Sequence, residues 1–171
     1  MQEALKNANV DPATIDFVEA HGIGNKFTDA MEIQAIQQSY GKREQPIYVG
    51  SVKPNIGHLE AAVGMAMLAK IIGSFQHHQI APNIHFDTPN QDLDWNNIKV
   101  KVPTDTVNWN SANSDQPLRK QPSTFQVTAV QTFTMILKRQ NQKLKVRMKA
   151  KQPVLGFNIS SKNERSIRPK Y

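Results

Sequence analysis

The 171-residue chain contains no cysteine. That excludes a disulfide framework, a thiolate nucleophile and a Cys-based metal site on this polypeptide. Long apolar runs are missing too. The longest, residues 61–73, is broken by Lys70 and falls short of the ~20 residues that cross a bilayer. No membrane contact is expected. The first residues, MQEALKNANVDP, lack a basic start followed by an apolar stretch, so no secretion signal is expected and the default location is cytoplasmic. Acidic residues are nearly absent from one end. Residues 138–171 hold 11 Lys+Arg against one Asp+Glu, whereas residues 1–137 hold 10 against 13. The formal net charge of +7 therefore belongs to the tail. On composition that tail reads as a solvated, disordered extension. A nucleic-acid arm is the weaker reading, because residues 138–152 carry no aromatic to stack on bases, and no nucleic-acid partner is expected.

What is present suits one domain with a core, given a hydrophobic fraction of 39%. MQEALKNANV reads as a short amphipathic helix and DPAT as a turn. IDFVEAHG reads as a strand ended by Gly22. Thr28 is the expected N-cap of a helix over DAMEIQAIQQSYG, with Gly41 as its terminator. In that helix Ala30, Ile33, Ile36 and Tyr40 fall at spacings of three and four, one apolar stripe. Ile47 to Val52 is a second strand. The stretch from about Gly57 to Phe75 predicts a helix apolar on nearly every side, hence buried on several faces. Two prolines mark turns around a short extended piece, Asn83 to Phe86. NIKVKVPTDTVNW alternates like a half-exposed strand. After Trp109, residues 110–122 read as a linker, STFQVTAVQTFTMILK as strand-like, and PVLGFNIS as a last strand. Strand–helix alternation up to Trp109 argues for an α/β layered fold.

There are five histidines. His77 and His78 read as surface residues, and His85, between Ile84 and Phe86, as a packed one. His21 and His58 differ, each reading as the end of a strand beside glycine. Ligands collect at that edge of open α/β sheets. Gly22, Gly24 and Gly57 would let a substrate approach the backbone. No third group stands at a metal-ligand spacing, so no metal is expected. Ser51 with His21 and Asp29 suggests a hydrolase triad, but no Gly-x-Ser-x-Gly elbow surrounds it.

IDFVEAHGIGNKFTDAMEI, VGSVKPNIGHLEAAVGMAMLAKII and APNIHFDTPNQDLDW follow one another in unbroken order. Together they resemble the C-terminal half of β-ketoacyl synthase domains, modular polyketide synthase type. The resemblance covers residues 1–109 and is most specific from Gly50 to Ala62. It implies a thiolase-like layered fold, C-terminal half only, followed by the linker and by a degenerate end and basic tail over residues 123–171. It implies decarboxylative Claisen condensation between an acyl-enzyme and a malonyl unit on an acyl carrier protein. His21 and His58 match the family's two histidines, which polarise the malonyl thioester and promote CO2 loss. Lys53 matches its lysine, and Gly22, Gly24, Asn55 and Gly57 fall in its substrate-binding motifs. No bound cofactor is implied. The substrate rides on the carrier protein's phosphopantetheine. The implied partners are that carrier protein, an N-terminal synthase half bearing the nucleophilic Cys, and a second copy in a homodimer. The chain departs from the family in three ways. The nucleophile's half is expected to be missing. Ile23-Gly24-Asn25 replaces the Thr-Gly-Thr after the first histidine. Ser123–Lys138 keeps none of the closing glycines. The alternative is a non-catalytic, truncated or decayed fragment that at most binds a carrier protein or partner.

Overall fold

The computed structural model describes residues 1–108 in full and, as backbone, the strands at 124–129, 133–140 and 143–148. The first helix, α1 (Gln2–Ala8), buries Leu5 and ends at Asn9, whose φ of 52° closes it. The Asp11 side chain then accepts from the Ala13 N–H at 2.9 Å and turns the chain into β1 (Ile15–Glu19). The second helix, α2 (Lys26–Tyr40), buries the stripe Ala30, Ile33, Ile36 and Tyr40 that its spacing predicts.

The cap of α2 differs from expectation. Asn25, not Thr28, is the N-cap, and its Oδ1 accepts from the Phe27 and Thr28 N–H groups. Asn25 keeps extended backbone and reaches the orphan donors first, which leaves Thr28 inside the helix. Gly41 ends the helix with φ of −69°, so its conformational freedom is not what stops it.

Strand β2 (Ile47–Gly50) follows, then a single helical turn, α3 (Lys53–Ile56). The helix expected from Gly57 is interrupted. Gly57 at φ 74° and Glu60 at φ 49° adopt left-handed backbone that no α-helix continues through. A 3-10 turn at Glu60–Ala62 leads into α4 (Val63–His77). Nor is α4 covered all round. Val63, Met67, Ile71, Ser74 and Phe75 form its buried stripe, whereas Met65 is 70% exposed. The sheet covers one side of the helix, and a single sheet can do no more.

Short strands β3 (Gln79–Ile80) and β5 (Val107–Asn108) pair antiparallel. The segment expected to be extended at 83–86 is a turn, with His85 at φ 58° and exposed rather than packed. Strand β4 (Val100–Lys101), β6 (Thr124–Ala129), β7 (Phe133–Gln140) and β8 (Lys143–Met148) complete the main sheet. Its order is β4-β2-β1-β6-β7-β8, parallel from β4 to β6 and antiparallel thereafter. Strands β7 and β8 thus use a stretch that composition reads as tail. The linker 110–122 and PVLGFNIS lie outside the described residues.

After an irregularity between Ile15 and Phe17, which leaves Ile15 on the α2 side, alternation from Phe17 to Ala20 sorts β1 onto two layers. Val18 and Ala20 join Ile47, Val49 and the α2 stripe. Phe17 faces the other way, into Val63, Met67, Ile71, Phe75 and Ile80. The result is helix, sheet, helix, the doubly covered arrangement that parallel strands require. No helix among the described residues is long and apolar enough to cross a membrane.

Candidate active site

The site grows from the C-terminal ends of β1 and β2. The Ala20 N–H donates to Gly50 O at 2.7 Å, the last rung before the strands part. The chain then turns through His21 and Gly22 and is seized by α2. One carboxylate does this. Glu32 Oε1 accepts from the His21 N–H at 2.7 Å and Oε2 from the Gly22 N–H at 2.9 Å. Asp29 Oδ2 accepts from the Gly24 N–H at 3.1 Å. Gly22 has φ of 47°, and a Cβ there would lie 2.9 Å from Ser51 Cβ. Both backbone and space therefore demand glycine. Gly24 and Gly57 also have positive φ, but a Cβ on either meets open space.

On the β2 side, the Ser51 N–H donates to Asn83 Oδ1 at 2.9 Å. Ser51 Oγ lies 3.4 Å from His21 O and accepts from the Lys53 N–H at 3.3 Å. The hydroxyl therefore braces backbone, and Asp29 holds Gly24, so the triad geometry is not formed. The α3 turn brings Lys53 inward, where its ammonium donates to His21 O. The same Nζ lies 3.3 Å from His21 Nδ1. Asn55 lies exposed on α3, with its N–H donating to Val52 O. His58 follows Gly57, eight residues beyond β2 rather than at its end. Its Nδ1 accepts from the Glu60 N–H at 2.9 Å, a contact made by the left-handed backbone at Glu60.

The two imidazoles meet edge to face, with ring centroids 5.3 Å apart and planes at 81°. His21, His58 and Lys53, read separately from the sequence, thus share one site. An ammonium and a peptide N–H can only donate. Each Nδ1 is therefore an acceptor, and a neutral ring carries its proton on Nε2; this tautomer is assigned from the hydrogen bonds. Both rings are left with an Nε2–H donor.

Burial lowers the pKa of His21, and the Lys53 and His58 charges lower it further against the pull of Asp29. Lys53 is itself lowered by burial, while Glu32, Glu19 and Asp29 hold its charge. Burial raises Glu32, and the Gly22 and His21 N–H groups act against it. Replacing Lys53 by methionine is expected to raise the His21 pKa while leaving it below the ordinary value, since burial is the larger cause. An NMR titration of the His21 ring checks this; a pKa unchanged or lower would refute it.

Sequence reasoning passes over Glu32. Its signal was a carboxylate one position before Ile33 on the apolar stripe, at the border of the buried face. His58 is exposed, as are Ile56 and Leu59 near it in the chain and Met65 in α4; Ile23, Phe27 and Met31 are exposed after β1 and along α2. A cleft of about 570 Å³ opens behind the His21 loop, lined by Gly22, Gly24, Glu32, Asn83 and Trp95. No cluster of three or more His, Asp or Glu suited to a metal occurs among the described residues.

Residues 1–87 match the family described as beta-ketoacyl synthase, C-terminal domain. The chain belongs to this family. The synthase C-terminal domain is 38% identical over 125 residues to the highly reducing polyketide synthase ALT1 of Alternaria alternata, covering 73% of the chain and 5% of that protein. It is 35% identical over 139 residues to polyketide synthase GfsB of Streptomyces halstedii, covering 80% of the chain and 2% of that protein. Among solved structures it is similar to ketosynthase twelve of the bacillaene polyketide synthase of Bacillus amyloliquefaciens. That match has a TM-score of 0.67 at 34% identity over 75% of the chain and 22% of the ketosynthase. The oxazolomycin ketosynthase domain OzmH KS7 of Streptomyces albus gives a TM-score of 0.66 at 28% identity, covering 80% and 25%. The fold is thus the thiolase-like fold of ketosynthases. The synthase domain spans only a small fraction of the curated relatives it matches.

Proposed function

We propose that this chain supplies the two-histidine half of a condensing site. The reaction is decarboxylation of a malonyl thioester and attack of the resulting carbanion on an acyl thioester. The observation that carries the reading is the pair of touching imidazoles, each with Nδ1 occupied by a donor. Two Nε2–H groups suit an enolate oxygen, the charge that develops as CO2 leaves. A depressed His21 pKa keeps that ring neutral and able to donate at neutral pH. Lys53 orients His21 and keeps a positive charge nearby.

The acyl group needs a thiol, and this chain has none. The Cys-bearing N-terminal half would cover exposed apolar residues such as Ile56 and Leu59, which flank His58 in the chain. The substrate class is a malonyl unit on the phosphopantetheine arm of an acyl carrier protein, with Gly22, Gly24, Asn55 and Gly57 lining its approach. A homodimer would follow the family's habit.

The test is CO2 release from a malonyl thioester by the chain alone and with a Cys-bearing synthase half added. Release only with that half present supports the reading. No release in either case favours a non-catalytic binding piece.

A further inference from the structure

Glu19 is fully buried at the end of β1, two residues before His21. Lys70, in the middle of α4, reaches across the layer and places its ammonium 2.8 Å from Glu19 Oε2. The carboxylate is held by this ammonium and by the Val52 backbone N–H. The same ammonium stands 5.5 Å from the centroid of the Phe17 ring. Gly50 provides the room. A Cβ there would lie 3.1 Å from Lys70 Nζ and 3.3 Å from the Phe17 ring. Three strand residues and one helix residue thus build a cradle for a single ion pair.

Stability does not account for it. A buried ion pair gains little over well-packed apolar residues of similar volume, because removing two charges from water is costly. Met67, Ile71 and Phe75 already hold α4 on the sheet. What the pair adds is one defined register, since apolar packing alone tolerates shifts that an ion pair does not. Register matters here because the two histidines hang from different elements. His21 follows β1 directly. His58 precedes α4 across a 3-10 turn, and the N-terminus of α4 has no side-chain cap.

We propose that Glu19 and Lys70 are a positioning pair for the two histidines, fixing α4 on β1 and so fixing His58 against His21. This rests on the reading of both histidines as the working donors. A second link supports it. Glu19 also faces Lys53, and helps hold the charge of the ammonium that touches His21. The carboxylate therefore acts on both arms of the site. The charged groups acting on it are Lys70 from α4 and Lys53 from α3, and they oppose the burial that pushes its pKa up to about 7.

The experiment is side-chain 15N NMR of His21 and His58 in the full chain, with thermal unfolding in parallel. The wild type is expected to show two well-separated ring 15N shifts at each histidine, the Nε2–H tautomer. Lys70→Met leaves a buried carboxylate without its partner. It is expected to lower Tm and to collapse the two shifts toward an average at one histidine or both. Glu19→Gln with Lys70→Met removes both charges at similar volume. That double variant is expected to regain Tm yet still lack the separated shifts. A double variant with wild-type histidine spectra overturns the proposal and reduces the pair to packing. If Lys70→Met fails to fold, the double variant alone decides. CO2 release is scored separately. A wild-type chain with both tautomers in place that never decarboxylates with the Cys-bearing half overturns the functional reading, not the positioning role.

Discussion

Replacing His21 by alanine is expected to lower malonyl-thioester decarboxylation about 10²- to 10³-fold, the usual loss for one oxyanion donor. The measurement is CO2 release with the Cys-bearing half present. The effect should fall on kcat, because the imidazole acts on charge that is absent from the ground-state thioester. His58→Ala should lose a similar factor. The double variant should lose less than the product of the two, since donors that serve one oxygen act as a unit. A full multiplicative loss would mean that the rings serve different atoms. Loss confined to KM would mean that His21 only binds. Folding is not the confounder here. His21 is partly exposed and its loop is held through backbone N–H groups by Glu32, so the deletion leaves the anchor in place.

The largest stability effect is expected from Phe17→Ala, at about 3–5 kcal/mol. Phe17 is fully buried and sits where Val63, Met67, Ile71 and Phe75 converge. It also forms the wall beside Lys70. Strands flank it on both sides, paired through Tyr48 and Phe125, so the backbone cannot collapse into the space. A domain of this kind has about 5–15 kcal/mol in total, so the loss should be visible as a large drop in the urea midpoint. A loss below about 1 kcal/mol would show that α4 does not pack on β1 as described. Phe27→Ala is the control. That ring is 71% exposed, and a surface change of this type stays within about 0.5 kcal/mol.

Local pattern is legible where local energetics decide. The α2 stripe, strands β1 and β2 and the turn at Asp11 follow from spacing, branching and side-chain capping within a few residues. The α2 cap was misplaced by three residues because Asn25 and Thr28 are both good caps, and only backbone geometry chooses between them. The break at Gly57 and Glu60 was illegible for a different reason. The sequence there is rich in helix formers, yet the chain turns left-handed and presents the Glu60 N–H to His58, against propensity. His85 failed similarly, since its apolar neighbours say nothing of a turn. For the site, histidine beside glycine singled out His21 and His58, and resemblance added Lys53.

Motif order and apolar periodicity are carried along the chain, so they specify the layered α/β class, the family and the three residues now found together. Tertiary structure alone decided the rest. It set the 5.3 Å meeting of the two rings, the two-pronged grip of Glu32 and the Glu19–Lys70 cradle beside Gly50. Each joins residues at least 10 positions apart. Their encounter depends on how β1, β2, α2 and α4 pack, and no local pattern encodes that distance.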